Sequence, residues 1–236
     1  MWTKKHSKKF TKAEHSKEFL RKPHTLKELG NLKGKRLVDI GCGSGYWTRL
    51  FAQRGADCTG VDISENQLAL ARKEEGRKSL GIKYLKGDFT NLKKIKSNRY
   101  DIAVIIYALL EIPSKTKINK LFQEAYRILK KGGRLFISDM HPFDPITHAR
   151  FKLPKGFHYF MSGAKMIAYA KQVDGSLISF KDYHWTFEDY FDSLTKAGFV
   201  ITSLKEPRPS PSLVKKIPYF KYRIGLPKDI TIVCRK

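Results

Sequence analysis

Cysteine and acid are both in short supply in this sequence of 236 residues, and long apolar runs are missing altogether. Three cysteines (Cys42, Cys58 and Cys234) make an odd set without metal-ligand spacing, which argues against a disulfide framework; no metal is expected. The longest apolar run, Ile102 to Leu110, falls far short of the roughly 20 residues that a membrane-spanning helix needs. The lysine-rich first residues have no apolar stretch behind them, so the expectation is a soluble, cytoplasmic protein with no membrane span and a mobile segment over residues 1 to about 12. Internal repeats, helix-turn-helix signatures and aromatic nucleic-acid motifs are absent too. Nothing in the pattern sets an oligomeric state.

Acidic residues number 22 against 47 basic ones, for a net charge of +25. Such an excess attracts polyanions by counterion release, and on charge alone nucleic acid stays open as a partner. Lysine supplies 34 of the basic residues and arginine, the better bidentate phosphate reader, only 13. The lysines are spread along the whole chain, which equally describes a generic solvated surface. With 41% hydrophobic residues the chain can bury one full core, so one domain with an insertion is expected.

What the chain does have is the run Val38-Asp39-Ile40-Gly41-Cys42-Gly43-Ser44-Gly45-Tyr46. Three glycines at alternate positions follow a short apolar strand and open a helix, an arrangement that lets a polar ligand lie against bare backbone and unpaired helix N–H groups. A nucleoside cofactor suits that cradle. The dinucleotide fingerprint G-x-G-x-x-G requires a small residue where Tyr46 stands, which disfavours NAD.

Four further blocks follow in order: GVDIS at 60 to 64, GDF at 87 to 89, YDIAVIIYALLEIP at 100 to 113 and LKKGGRLFIS at 129 to 138. Together with VDIGCGSGYWT this series resembles the class I S-adenosylmethionine-dependent methyltransferases over residues 30 to 140. A looser likeness to small-molecule methyltransferases runs through MHPF, YHWTFEDYFDSLTKAGF and EPRPS.

Short apolar segments alternating with helical patterns imply an α/β fold with a doubly wound, mostly parallel sheet. Strands are expected at Arg36 to Gly41, Cys58 to Asp62, Ile82 to Lys86, Asp101 to Tyr107 and Arg134 to Asp139. Helices are expected at Tyr46 to Gln53, at Ser64 to Glu75 with Ser64 as N-cap, and at Lys115 to Leu129, closed by Gly132-Gly133. Asn91 to Ser97 reads as a loop. Beyond Asp139 the period changes: residues 141 to 185 read as an insertion containing a β-hairpin, Lys165 to Lys171 and Leu177 to Tyr183, turned at Asp174-Gly175. A helix from Thr186 to Lys196, strands at Phe199 to Leu204 and Ile230 to Cys234, and a proline-rich loop over 206 to 228 complete the chain. The resemblance implies a seven-stranded Rossmann-like sheet whose last strand is antiparallel. Residues 1–29 form a basic, helical extension and 30–236 the main domain.

Ligands of open α/β sheets bind at the carboxyl ends of the strands. Asp62, closing the second strand, is placed to accept both ribose hydroxyls, with Ile63 beside it; a helix N-terminal acid is the alternative. The resemblance implies that Asp88 accepts from the adenine amino group with Phe89 beside the ring, that Gly41, Cys42, Gly43 and Gly45 form the cofactor cradle, and that Asp39 organises the loop and the methionine ammonium. Tyr46 is a candidate for the methionine carboxylate and Tyr107 for the methyl channel, against plain packing for each. Cys42 reads as a small loop residue.

Methyl transfer needs alignment, exclusion of water and, for some acceptors, a base. His141 and His184 are the candidates for that base, because imidazole titrates near neutrality, and Glu111 is a third. No Asn/Asp-Pro-Pro-Tyr/Phe motif follows the fourth strand, which removes the signature of base and glutamine-amide methylation. The expectation is methyl transfer from S-adenosylmethionine to O, N or C of a small molecule. The alternatives are an RNA methyltransferase and a non-catalytic protein that binds the cofactor or nucleic acid on the same fold.

Overall fold

A computed structural model describes residues 17–147, 150–171 and 177–236. The strands follow from runs rich in β-branched residues, and they assemble with helices between them in chain order: α1 (Lys22–Leu29), β1 (Arg36–Ile40), α2 (Tyr46–Ala52), β2 (Asp57–Asp62), α3 (Glu65–Arg77), β3 (Lys83–Lys86), β4 (Tyr100–Ile106), α4 (Lys115–Ile128) and β5 (Leu129–Met140). The insertion supplies β6 (Phe151–Lys152), β7 (Lys165–Lys171) and β8 (Leu177–Tyr183); α5 (Phe187–Lys196), β9 (Val200–Lys205), α6 (Pro211–Lys216) and β10 (Asp229–Arg235) follow. Seven strands form one sheet in the order β3-β2-β1-β4-β5-β10-β9, parallel from β3 to β5 and antiparallel at β10 and β9.

Both faces of this sheet are covered. The period of two along β4 sends Ala103 and Ile105 toward α4 and α5, where they meet Phe122, Leu121 and Leu194, and sends Ile102, Val104 and Ile106 toward α2 and α3, where they meet Phe51 and Leu68. Helix α4 buries Ile118, Leu121, Phe122, Ala125 and Ile128, a stripe at helical spacing, and Ser114 caps it by accepting the Lys117 amide. Helix α5 opens on a capping box: the Asp189 amide donates to Thr186 Oγ1 at 3.1 Å and the Thr186 amide to Asp189 Oδ2 at 3.0 Å.

Two expectations change. Helix α4 does not end on Gly132-Gly133; it passes at Leu129 straight into β5, because the backbone of Lys236 pairs with Gly132 and Gly133 (2.9 and 3.0 Å) and extends the strand backwards, with a register shift against β4. Residues 206 to 228 are not a bare loop: they hold α6, capped by Ser210 with Pro211 in its first turn, and a 3-10 segment at Pro218–Arg223. The hairpin strands lie at Lys165–Lys171 and Leu177–Tyr183 and join β6 in a second, three-stranded antiparallel sheet, whereas the expected Asp174-Gly175 turn lies outside the described residues, as do residues 1 to 12. Asn91 to Ser97 is non-helical, yet Leu92 and Ile95 plug the core.

Candidate active site

The glycine loop is fixed from below. The amides of Gly41 and Cys42 both donate to the Val61 carbonyl at 2.8 and 3.0 Å, the Gly43 amide donates to Asp62 Oδ2 at 2.8 Å, and the Ser64 amide donates to Asp62 Oδ1 at 2.8 Å. Asp62 therefore ties the loop to the end of β2 and the start of α3. Burial pushes its carboxyl above the usual range, with the amides of Ser64, Gly43 and Ile63 opposing. Gly41, Gly43 and Gly45 all take positive φ (79°, 54° and 81°), which glycine adopts without a Cβ clash.

A nucleoside cofactor fits this surface on three counts. A Cβ on Gly43 would meet nothing closer than Gln67 Oε1 at 4.0 Å, so the loop is bare there. That same Gln67 oxygen is buried and has no hydrogen-bond partner. Ile63, beside Asp62, is an exposed apolar side chain at a strand end, and Phe89, past the end of the neighbouring strand β3, packs against the core. Asp88 is exposed, and its Oδ1 accepts from the Thr90 amide at 2.8 Å and hydroxyl at 2.7 Å, an Asx turn that sets its direction.

Asp39 lies buried beneath the loop, where Thr48 Oγ1 donates to its Oδ2 at 2.6 Å and burial raises its carboxyl to about 7. Cys42 is buried, and burial followed by the charges of Asp39 and Asp62 keeps its thiol protonated. The Tyr46 hydroxyl donates to Glu18, and the Tyr107 hydroxyl donates to Asp229. Arg21 stands 4.3 Å over the Tyr107 ring and 3.7 Å from Asp229 Oδ1, so residues 17–29 cover this end of the sheet.

Both imidazoles are buried and hydrogen-bonded. His141 Nε2 is 2.9 Å from Glu206 Oε1, its Nδ1 accepts the Phe143 amide at 3.1 Å, and burial lowers its pKa. His184 Nε2 donates to the Tyr159 carbonyl at 2.6 Å, and burial lowers its pKa too. The His141 bond ties the start of the insertion to the segment that follows β9, while the His184 bond lies within the insertion itself.

What the sequence reading missed is carboxylate. Asp139 at the end of β5 is wholly buried and accepts from the Leu109 amide (2.9 Å) and the Met140 amide (2.7 Å); burial raises it to about 7. Asp182 on β8 is 4% exposed, its Oδ1 has no partner, and burial raises it to about 8, with Glu111 and Asp139 adding to the shift and Arg150 opposing it. Beside them the insertion forms an aromatic wall. Phe143 stacks on Tyr159 with ring centroids 4.6 Å apart and on His141 at 5.6 Å, while Phe157 and Tyr159 meet His184 edge-on.

A seven-stranded sheet with a bare glycine loop at its carboxyl edge defines a nucleoside-binding enzyme class, and comparison with known proteins gives it a family. The model of a methyltransferase domain matches residues 38–137. The demethylmenaquinone methyltransferase of Lactococcus lactis is 33% identical over 194 residues, 75% of this chain and 70% of that one. A ubiquinone biosynthesis O-methyltransferase of Pseudomonas aeruginosa is 27% identical over 142 residues, 60% of this chain and little more than half (56%) of its own length. Among solved structures, an S-adenosylmethionine-dependent methyltransferase of Mesorhizobium loti superposes with a TM-score of 0.72 at 24% identity, covering 91% of this chain and 96% of that one. A counterpart from Listeria monocytogenes gives 0.68 at 25% identity, over 90% and 95%. The chain belongs to the S-adenosylmethionine-dependent methyltransferases. It is an enzyme that takes its methyl group from S-adenosylmethionine and passes it to a small-molecule acceptor. Among the described residues no helix is long and apolar enough to cross a membrane.

Proposed function

We propose that the acceptor is an aromatic ring carrying an ionisable hydroxyl, bound between the carboxyl edge of the sheet and the insertion. The observation that carries this reading is the wall of Phe143, Tyr159, Phe157 and the two histidine rings, whose stacked and edge-on faces suit a planar guest. Relatives named for menaquinone and ubiquinone chemistry support it. In this arrangement Asp62 takes the ribose hydroxyls of S-adenosylmethionine, Ile63 and Phe89 flank the adenine, Asp88 accepts from its amino group, and the backbone of Gly41, Cys42, Gly43 and Gly45 cradles the methionine end. Asp39 braces the loop through Thr48, while Tyr46 and Tyr107 hold residues 17–29 closed over it. The protein supplies alignment and a dry cleft; the sulfonium supplies the activated methyl group.

A basic groove of the structure lies away from the cleft, which disfavours a nucleic-acid acceptor held in it. The groove of about 550 Å³ that gathers Lys35, Lys130, Lys131, Arg134 and Arg235 is at the opposite edge of the sheet, around the starts of β4 and β5. A polyanion held there would not reach the methyl group. The test is anaerobic incubation with S-adenosylmethionine and, in separate reactions, catechol, 1,4-naphthohydroquinone, an aliphatic polyamine and total RNA. Products one methyl heavier are expected from a diol. Methylation of RNA or the polyamine, with neither diol modified, would overturn the acceptor class.

Asp62→Ala is expected to weaken S-adenosylmethionine binding by about 1–3 kcal/mol, the scale of hydrogen bonds to a charged acceptor, without unfolding the protein. The loss has two parts, the ribose contacts and the tether on the Gly43 amide. Calorimetric titration measures it; an unchanged affinity in a folded variant would reduce Asp62 to a cap for α3.

A further inference from the structure

The hairpin β7–β8 turns one face toward the sheet. Phe180, Asp182 and His184 alternate onto that face, Met166 and Ala168 pair with Asp182 and Phe180 across the ladder, and Met166, Ala168 and Phe180 pack with Leu110, Met140 and Tyr107. An acid among these side chains is out of keeping with the packing. A buried carboxylate normally has its lone pairs met by donors, as those of Asp139 are by two amides, yet Asp182 Oδ1 is buried with none. Strand β8 packs against the 3-10 turn Leu109–Glu111, which directly follows the end of β4, the strand end from which Tyr107 borders the cofactor edge. An unmet acceptor kept at this point is explained by a donor that arrives with the substrate.

We propose that Asp182 is the catalytic base: its carboxylate takes the hydroxyl proton of the acceptor during methyl transfer. The inference rests on the acceptor reading above. As the acceptor O–H proton moves to Asp182 Oδ1, an oxygen lone pair forms the bond to the methyl carbon, and the electron pair of the breaking C–S bond stays on sulfur. The sulfonium becomes a neutral thioether, the acceptor becomes a methyl ether, and Asp182 ends protonated and releases its proton to water with the product. The charged groups around it are Glu111 and Asp139, which hold its proton on, and Arg150, which loosens it. The positive sulfonium adds to the loosening once the cofactor is bound. A carboxyl raised toward neutrality is better matched to a phenolic proton than an ordinary one.

The test uses whichever diol the wild type methylates, with Asp182→Asn and Asp182→Glu. Asp182→Asn should lower kcat about 100-fold or more while leaving S-adenosylmethionine affinity within a few-fold. The wild-type kcat/KM should rise with pH through a limb near pH 8, since only the ionised carboxyl is a base; Asp182→Asn should keep only the later rise set by the diol itself, and Asp182→Glu should retain the limb. Stability gives an independent readout. A carboxyl raised in the folded state costs the wild type stability as pH climbs from the ordinary carboxyl range to about 8, so the melting-temperature advantage of Asp182→Asn should grow over that window and then level off. Wild-type kcat with an intact limb in Asp182→Asn, or a melting-temperature difference that ignores pH, would overturn the inference while the acceptor reading stands. A wild type that methylates neither diol overturns the acceptor reading, and this inference with it.

Discussion

Gly45→Ala should cost the protein about 2–4 kcal/mol of stability and at least tenfold in S-adenosylmethionine affinity, for reasons that lie under the loop and not in the ligand. Gly45 sits at φ 81°, where an L-residue is strained by roughly 1–2 kcal/mol. Its Cβ would run into the Tyr84 hydroxyl, with Tyr84 Cζ at 3.0 Å and Ala71 Cβ at 3.1 Å behind it. Tyr84 is buried and cannot swing aside, so the loop must lift from α3, at the cost of ~1–3 kcal/mol typical of overpacking. Gly43→Ala is the informative contrast. It has open space and only backbone strain, so stability should fall by only ~1–2 kcal/mol, yet its methyl group would stand on the bare backbone proposed to seat the cofactor. Denaturant titration and calorimetry on both variants separate the effects: Gly45→Ala loses stability and binding together, Gly43→Ala mainly binding. Equal behaviour of the two would place the cofactor away from the loop.

The second large effect belongs to the insertion. Replacing Lys152 to Lys181 with a short glycine linker should leave cofactor affinity within a few-fold and cut methylation by about 100-fold or more, the scale for losing alignment of the reacting groups. The two functions separate because the packing separates: the three-stranded sheet rests on Leu110 and Met140, while the glycine loop belongs to the cluster around Leu37, Phe51 and Leu68. Removing the hairpin strips Tyr159 and Phe157 from the aromatic wall and frees Asp182 from its ladder. Exposing Leu110 and Met140 will lower stability, so the comparison is made on folded material at matched cofactor saturation. Methylation at the original rate by the deletion variant would move the acceptor pocket to the other side of the cleft, under Arg21.

The central sheet was legible because β4 and the middle of β1 and β5 (Leu37-Val38, Leu135 to Ile137) are buried on both faces and carry short apolar runs, and because the loop glycines are demanded by positive φ. The edges of the molecule were not. Gly132-Gly133 looks like a helix stop, and only the pairing of Lys236 with them shows that they lie within a strand. Glu18 and Arg21 stand in a charge-rich stretch with no apolar period, and their value comes from Tyr46, Tyr107 and Asp229, the last of them about two hundred residues away. Asp182 was overlooked for a similar reason: in Phe180-Lys181-Asp182-Tyr183 two charges stand side by side, and sequence cannot say which faces inward. The alternation Phe180, Asp182, His184, an aromatic and a histidine flanking an acid two residues apart, was the available signal.

The most direct test of the cofactor site is calorimetric titration of the wild type and Gly43→Ala with S-adenosylmethionine, S-adenosylhomocysteine and NAD, paired with thermal melts. One equivalent of either sulfur cofactor is expected to bind the wild type and stabilise it by about 2.7 kcal/mol at a hundredfold excess over Kd, while Gly43→Ala binds far more weakly and NAD has no effect. Binding of NAD with no response to S-adenosylmethionine, or full S-adenosylmethionine affinity in Gly43→Ala, would contradict a methyl donor seated on the glycine loop.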